Sequence, residues 1–284
     1  RKSVGMFPLM SGTGRKAYPP LHNNRMKREM LKYTETSERP IFKYIPLKYL
    51  TKMLDDDTLY VNKVATWDDV YENFFLKQRF VYGNRVVPSE MLNEIFGGIF
   101  GQSWTSLKSS DAMWRIYSKY VSGNCDEEEL SESAIRVAST PNLVYGELCK
   151  AGLSDDYGMK FCEVKYMSHD EIEHWLDDIG AINRQNMVDL ILKSLFIKRK
   201  DFEHEHEVRI IIYVKSLCSN AKSDSVIVPI HTQNMITEYV IDPRMNGQQC
   251  NVIMSMLKRH GANESLVRQS GLYTLNKKTL VLEC

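Results

Sequence analysis

The 284-residue chain has no long apolar run, no surplus of one charge and no closely spaced cysteines, and each absence removes a class of protein. No stretch approaches the ~18 apolar residues that a membrane-spanning helix needs. The opening Arg1-Lys2-Ser3-Val4-Gly5-Met6-Phe7 has too short an apolar run for a signal peptide. Lys+Arg number 37 against 36 Asp+Glu, a formal charge of +1, so no global field argues for a nucleic-acid or membrane binder, although a local basic groove stays open. Cys125, Cys149, Cys162, Cys218, Cys250 and Cys284 are scattered, and none forms a Cys-x-x-Cys zinc knuckle. Lone thiols of this kind act as small apolar fillers in a reducing compartment, so a cytoplasmic protein without a membrane partner is expected. Repeats, low-complexity blocks, a glycine-rich phosphate loop and a dinucleotide fingerprint are also missing.

What is present is a sizeable core: 43% of residues are hydrophobic and 10% aromatic. Residues 1–38 carry Gly, Pro, Asn and basic side chains without periodicity and read as a loosely ordered arm before one domain over 39–284. Short strands are expected at 41–44, 58–61, 100–105, 134–138, 162–167, 225–230, 236–241, 266–269 and 280–283, with helices at 47–54, 89–96, from 110, 141–150, 169–175, 186–196 and 247–260. Strands and helices interleave irregularly, which predicts an α+β fold with a mixed, mostly antiparallel β core flanked by helices.

The densest chemistry lies in Phe202-Glu203-His204-Glu205-His206-Glu207-Val208-Arg209, which runs straight into Ile210-Ile211-Ile212-Tyr213-Val214. Alternation puts Glu205, Glu207 and Arg209 on one face of a strand, if pairing reaches back that far. Crowded carboxylates repel, so Arg209, the upstream Lys198-Arg199-Lys200 or a cationic ligand should compensate them. The block is either a solvated acidic strand entrance or a site of acid chemistry. His204 and His206, two residues apart, lack a third partner at metal-ligand spacing, so no metal is expected there.

A second constellation is Gly101-Gln102-Ser103-Trp104-Thr105 followed by Met113-Trp114-Arg115-Ile116-Tyr117 and Tyr120. Aromatics three residues apart share a helix face, which serves either as core or as a flat wall for a stacked ring. Ser103, Thr105 and Arg115 add polar handles. A third is Cys162-Glu163-Val164-Lys165, a Glu-x-Lys on a strand with Asp155 and Asp156 upstream, the pattern of a metal-dependent nuclease using Glu163 and Lys165.

Together, Phe42-Lys43-Tyr44, Trp67-Asp68-Asp69-Val70-Tyr71-Glu72, Ser103-Trp104-Thr105, Met113-Trp114-Arg115-Ile116-Tyr117, the Phe202–Arg209 block and Ile241-Asp242-Pro243-Arg244-Met245 resemble, in order, the pattern of the bacterial domain of unknown function numbered 2971. The chain departs from that pattern at Trp67, Val70, Phe202 and Asp242. The same stretches bear a more distant resemblance to ADP-ribosyltransferases, which combine a first-strand residue, a Ser-Thr strand leading to an aromatic helix, and a late Glu-x-Glu. That resemblance implies NAD as substrate and a macromolecular acceptor, protein or nucleic acid, in a toxin, effector or defence enzyme. It implies Glu207 and Glu205 as catalytic residues. Tyr44 (or Lys43), Ser103, Thr105, Trp114, Tyr117 and Arg209 would bind NAD. Lys43-Tyr44 departs from the usual Arg or His-x-Thr. The reading without turnover is a binding or regulatory module.

Overall fold

The computed structural model describes residues 33–67, 69, 71–88, 97–153, 157–183, 186–214 and 224–280. In chain order the strands are β1 (Ile41–Pro46), β2 (Thr58–Lys63), the hairpin β3 (Val81–Tyr82) and β4 (Arg85–Val86), β5 (Ile99–Thr105), β6 (Ala134–Ser139), β7 (Tyr157–Glu163), β8 (Lys165–Met167), β9 (Ile197–Arg199), β10 (Glu207–Val214), β11 (Ser225–Pro229), β12 (Glu238–Ile241) and β13 (Val267–Gln269). The helices are α1 (Leu47–Asp56), α2 (Asp111–Tyr117), α3 (Glu127–Leu130), α4 (Pro141–Lys150), α5 (His169–Asp177), α6 (Met187–Ser194), α7 (Thr232–Met235) and α8 (Gly247–Arg259). Nine strands form one sheet in the order β11-β2-β5-β1-β6-β12-β13, with β10 on the other edge of β5 and β7 beyond it. Every pairing in that sheet is antiparallel except β12 with β13. The fold class is α+β, as the sequence suggests.

The sheet divides at β5. Its start pairs with β2 (Asn62 opposite Gly101) and its end with β1 (Phe42 opposite Thr105), so between these points one edge of β5 has no strand beside it. The opposite edge is paired throughout with β10, from Ile99 opposite Tyr213 to Thr105 opposite Glu207.

Alternation along β10 separates two cores. Val208, Ile210 and Ile212 enter the main cluster with Leu47, Leu50, Ile135, Val137, Ile253 and Leu257. Ile211 enters a second cluster with Phe74, Phe75, Ile191, Leu195 and Phe196. Glu207 and Arg209 therefore lie on the face of the second cluster, at the strand's polar end.

Three expectations shift. Tyr33, assigned to the loose arm, is buried in the main cluster, and the backbone of Ser37 accepts from Asn142 N–H, so 33–38 pack onto the fold; residues 1–32 lie outside the described residues. The strand expected at 162–167 starts at Tyr157 and breaks at Val164, where β8 turns to pair with β9. The segment from Ile236 joins the sheet only at Glu238 because Thr232–Met235 is helical. The helix expected at 89–96 and residues 281–283 of the last strand lie outside the described residues.

Candidate functional site

Register brings the two main motifs together. On the β5–β10 ladder Glu207 faces Thr105 and Arg209 faces Ser103, so their side chains emerge on one face. Where β1 leaves β5 a cavity of about 120 Å³ opens, lined by Phe42, Lys43, Tyr44, Ser103, Trp104, Thr105, Met113, Tyr117, Glu205 and Glu207. Helix α2 supplies Met113 and Tyr117. Ser110 caps its start by accepting from Met113 N–H, and Arg244 donates to the Trp114 and Ser118 carbonyls at its end.

Behind the cavity wall lies a buried charge network. Arg209 Nε is 2.7 Å from Glu207 Oε1, and its Nη2 donates both to Glu207 Oε2 (3.1 Å) and to Glu72 Oε1 (2.5 Å). Lys198 Nζ reaches Glu205 at 2.7 Å, Glu207 at 3.1 Å and Glu72 at 3.3 Å. The Ser103 hydroxyl donates to Glu207 Oε1, and the Glu207 N–H donates to the Tyr166 hydroxyl at 2.7 Å. Burial would lift the Glu207 carboxyl, but Arg209, Lys198 and Ser103 overcome it and hold it at about 2. Burial wins at Glu72, whose pKa is raised despite the same two cations.

Glu205 arrives by another route. Pairing does not reach back to it: β10 begins at Glu207, and Glu205 ends a 3-10 turn over Lys200–Glu205. His206 takes a left-handed conformation (φ 43°), which bends the chain so that both glutamates still meet Lys198. The Tyr117 hydroxyl donates to Glu205 Oε1 at 3.1 Å. Burial and then the charge of Glu205 push the Tyr117 phenol up.

The expected site residues thus divide. Lys43, Tyr44, Ser103, Tyr117, Glu205 and Glu207 border one cavity. Thr105 borders it too, but the residue is buried and its hydroxyl is spent on the Glu205 carbonyl and the Leu107 N–H. Trp114 is no ligand platform: it is 1% exposed and packs edge-on against Tyr44, ring centres 4.7 Å apart, with Met113, Ala134 and Val240. Arg209 has no exposure, lies 4.6 Å beneath the Trp67 ring and gives its remaining donor to the Leu195 carbonyl, so it positions Glu207 and touches no ligand. The Tyr44 ring borders the cavity, roughly parallel to Tyr117 at 6.3 Å, but its hydroxyl is buried without a hydrogen-bond partner at good geometry; burial pushes it up to about 12.

Sequence reasoning gave no role to Glu72 or Tyr166. Glu72 sits in a turn that ends in the left-handed Asn73 (φ 64°), whose amide donates to the Val64 carbonyl. Glu163 closes β7 opposite Val208 and Lys165 is exposed, while Asp155 and Asp156 lie outside the described residues. Among the described residues no cluster of three or more His, Cys, Asp or Glu is arranged to hold a metal ion. His204 and His206 are exposed. No helix among the described residues is long and apolar enough to cross a membrane.

No family model matches the chain, so the resemblance to the domain of unknown function is without support there, and no curated protein matches either. Among solved structures, DarT of Thermus sp. 2.9 in complex with ADP-ribosylated ssDNA is similar at 14% identity and a TM-score of 0.36, over 85% of this chain and 97% of that one. A likeness this low does not establish a shared fold.

Proposed function

We propose that the chain is an NAD-dependent ADP-ribosyltransferase acting on a macromolecular acceptor, protein or nucleic acid. One arrangement supports this reading most: a carboxylate held ionised, Glu207, at the wall of a cavity that also presents Ser103, Tyr117 and Glu205. Cleaving nicotinamide from ribose builds positive charge on the sugar, as in glycoside cleavage. A fixed anion beside that carbon stabilises the transition state more than the ground state. Glu207 is the group for that task. Its oxygens already accept from Arg209, Lys198 and Ser103, so a ribose hydroxyl would take the place of the Ser103 hydroxyl, the one donor of the three that is solvent-exposed. Glu205 would take the proton of the incoming acceptor. The near-parallel Tyr44 and Tyr117 rings offer a wall for the leaving nicotinamide.

The test is nicotinamide release from labelled NAD by the wild type and by Glu207→Gln, with protein extract and single-stranded DNA as acceptors. The variant is expected to lose on the order of 10²–10³-fold in rate. Equal release by both would remove Glu207 from the mechanism.

A second reading, a binding module without turnover, is favoured by the same saturation of the Glu207 oxygens. It expects no nicotinamide release and no rise in melting temperature with NAD at millimolar concentration, since a ligand of the native state must raise it.

A further inference from the structure

Lys43 is the cation of the cavity that the carboxylate network does not use. Its Nζ donates to the Ser103 carbonyl at 2.7 Å, on the β5 edge left open where β1 and β2 part, and lies 6.0 Å from the centre of the Trp104 ring. Among the described residues no carboxylate is at ion-pair distance from it, whereas Lys198 alone holds three. The residue is half-buried and borders the cavity, the route by which a small molecule would reach the amine.

We infer that Lys43 is a carbonyl-reactive amine, a covalent site for small aldehydes and open-chain sugars. The neutral Nζ attacks the aldehyde carbon as the carbonyl π pair moves to oxygen. The resulting carbinolamine loses that oxygen as water with both Nζ protons and leaves an imine. Such attack needs the unprotonated amine. Burial pushes Lys43 down to about 8, with Glu207 opposing, so roughly a tenth of it is free base at neutral pH. The other charged or ionisable groups around the cavity are Tyr44 on β1, Glu205 on the turn before β10 and Tyr117 on α2, with Lys198 behind the glutamates. A lysine titrating near 8 is unprotonated on the order of a hundredfold more often at neutral pH than an ordinary one near 10.4, and its weaker basicity offsets part of that advantage. This inference is independent of any reaction with NAD.

The experiment is reductive labelling of the whole chain with glycolaldehyde and cyanoborohydride, read by peptide mass spectrometry. In the native protein Lys43 is expected to react at least roughly tenfold faster than the exposed Lys52 and Lys258, with a rate that levels off above about pH 8. In urea the advantage should vanish. Lys43→Arg should lose the fast phase and leave the remaining sites unchanged. Native Lys43 labelling no faster than Lys52 and Lys258, or an advantage that survives in urea, would overturn the inference.

Discussion

Arg209 closes on Glu207 from two residues further along the same strand, Nε to Oε1 at 2.7 Å and Nη2 to Oε2 at 3.1 Å. Strand alternation aims both side chains the same way, and the planar fork matches the carboxylate edge to edge. The pair is buried, so the attraction is unscreened by solvent, but neither group can be lost without leaving the other stranded.

Arg209→Met is therefore expected to destabilise the fold by about 3–5 kcal/mol in urea titration, because Glu207 and Glu72 stay buried with Lys198 as their remaining cation. Arg209→Lys should recover only part of that, since an ammonium cannot span both oxygens or lie flat beneath Trp67.

Acid should reveal the same network. The Glu207 carboxyl falls from an ordinary 4.5 to about 2 on folding, so the unfolded chain binds its proton more readily. Its contribution, on the order of 3 kcal/mol, is fully present above about pH 4.5 and is lost as pH falls toward about 2. Glu72 has the opposite sign: its raised pKa means that its charge counts against the fold above that pKa and its protonation favours it. Stability measured across pH should show Glu207→Gln costing most near neutrality and least near pH 2, with Glu72→Gln the milder change at neutral pH.

Tyr117→Phe removes a half-exposed hydroxyl that donates to Glu205 and keeps the ring beside Tyr44. The expected loss of stability is about 1 kcal/mol or less. If Glu205 works on the acceptor, transfer should fall more than NAD hydrolysis, and comparing the two rates checks it.

Gly101→Ala should disturb the network without removing any charge. A methyl group there would lie 2.5 Å from Cζ2 of Trp67, so the indole must move off Arg209. Overpacking of this kind costs about 1–3 kcal/mol. Thermal unfolding and tryptophan emission should both change.

Much of this was legible in the residues. The shared face of Glu207 and Arg209 follows from alternation, and like-charge repulsion pointed to Arg209, the Lys198-Arg199-Lys200 run or a cationic ligand, of which Arg209 and Lys198 meet Glu207. The spacing of Trp114 and Tyr117 was legible as a shared helix face, but not that the helix would bury one ring at 1% exposure and leave the other at 40%. Depth depends on how α2 sits over β1, and the end of that helix is held by Arg244, far away in sequence. Glu72 was invisible for a similar reason: a single carboxylate in a turn has no periodic signal, and its partner Arg209 is 137 positions away.

Two of the left-handed residues, Asn73 and His206, each adjoin a carboxylate of the network, Glu72 on one side and Glu207 on the other. The placement of the acids is thus written partly in backbone torsion rather than in side-chain chemistry. A valine at either position would be costly, since a β-branched residue resists positive φ, whereas glycine would relax the bend. The site can therefore be detuned with all its ionisable groups intact, by loosening the two hinges that present them.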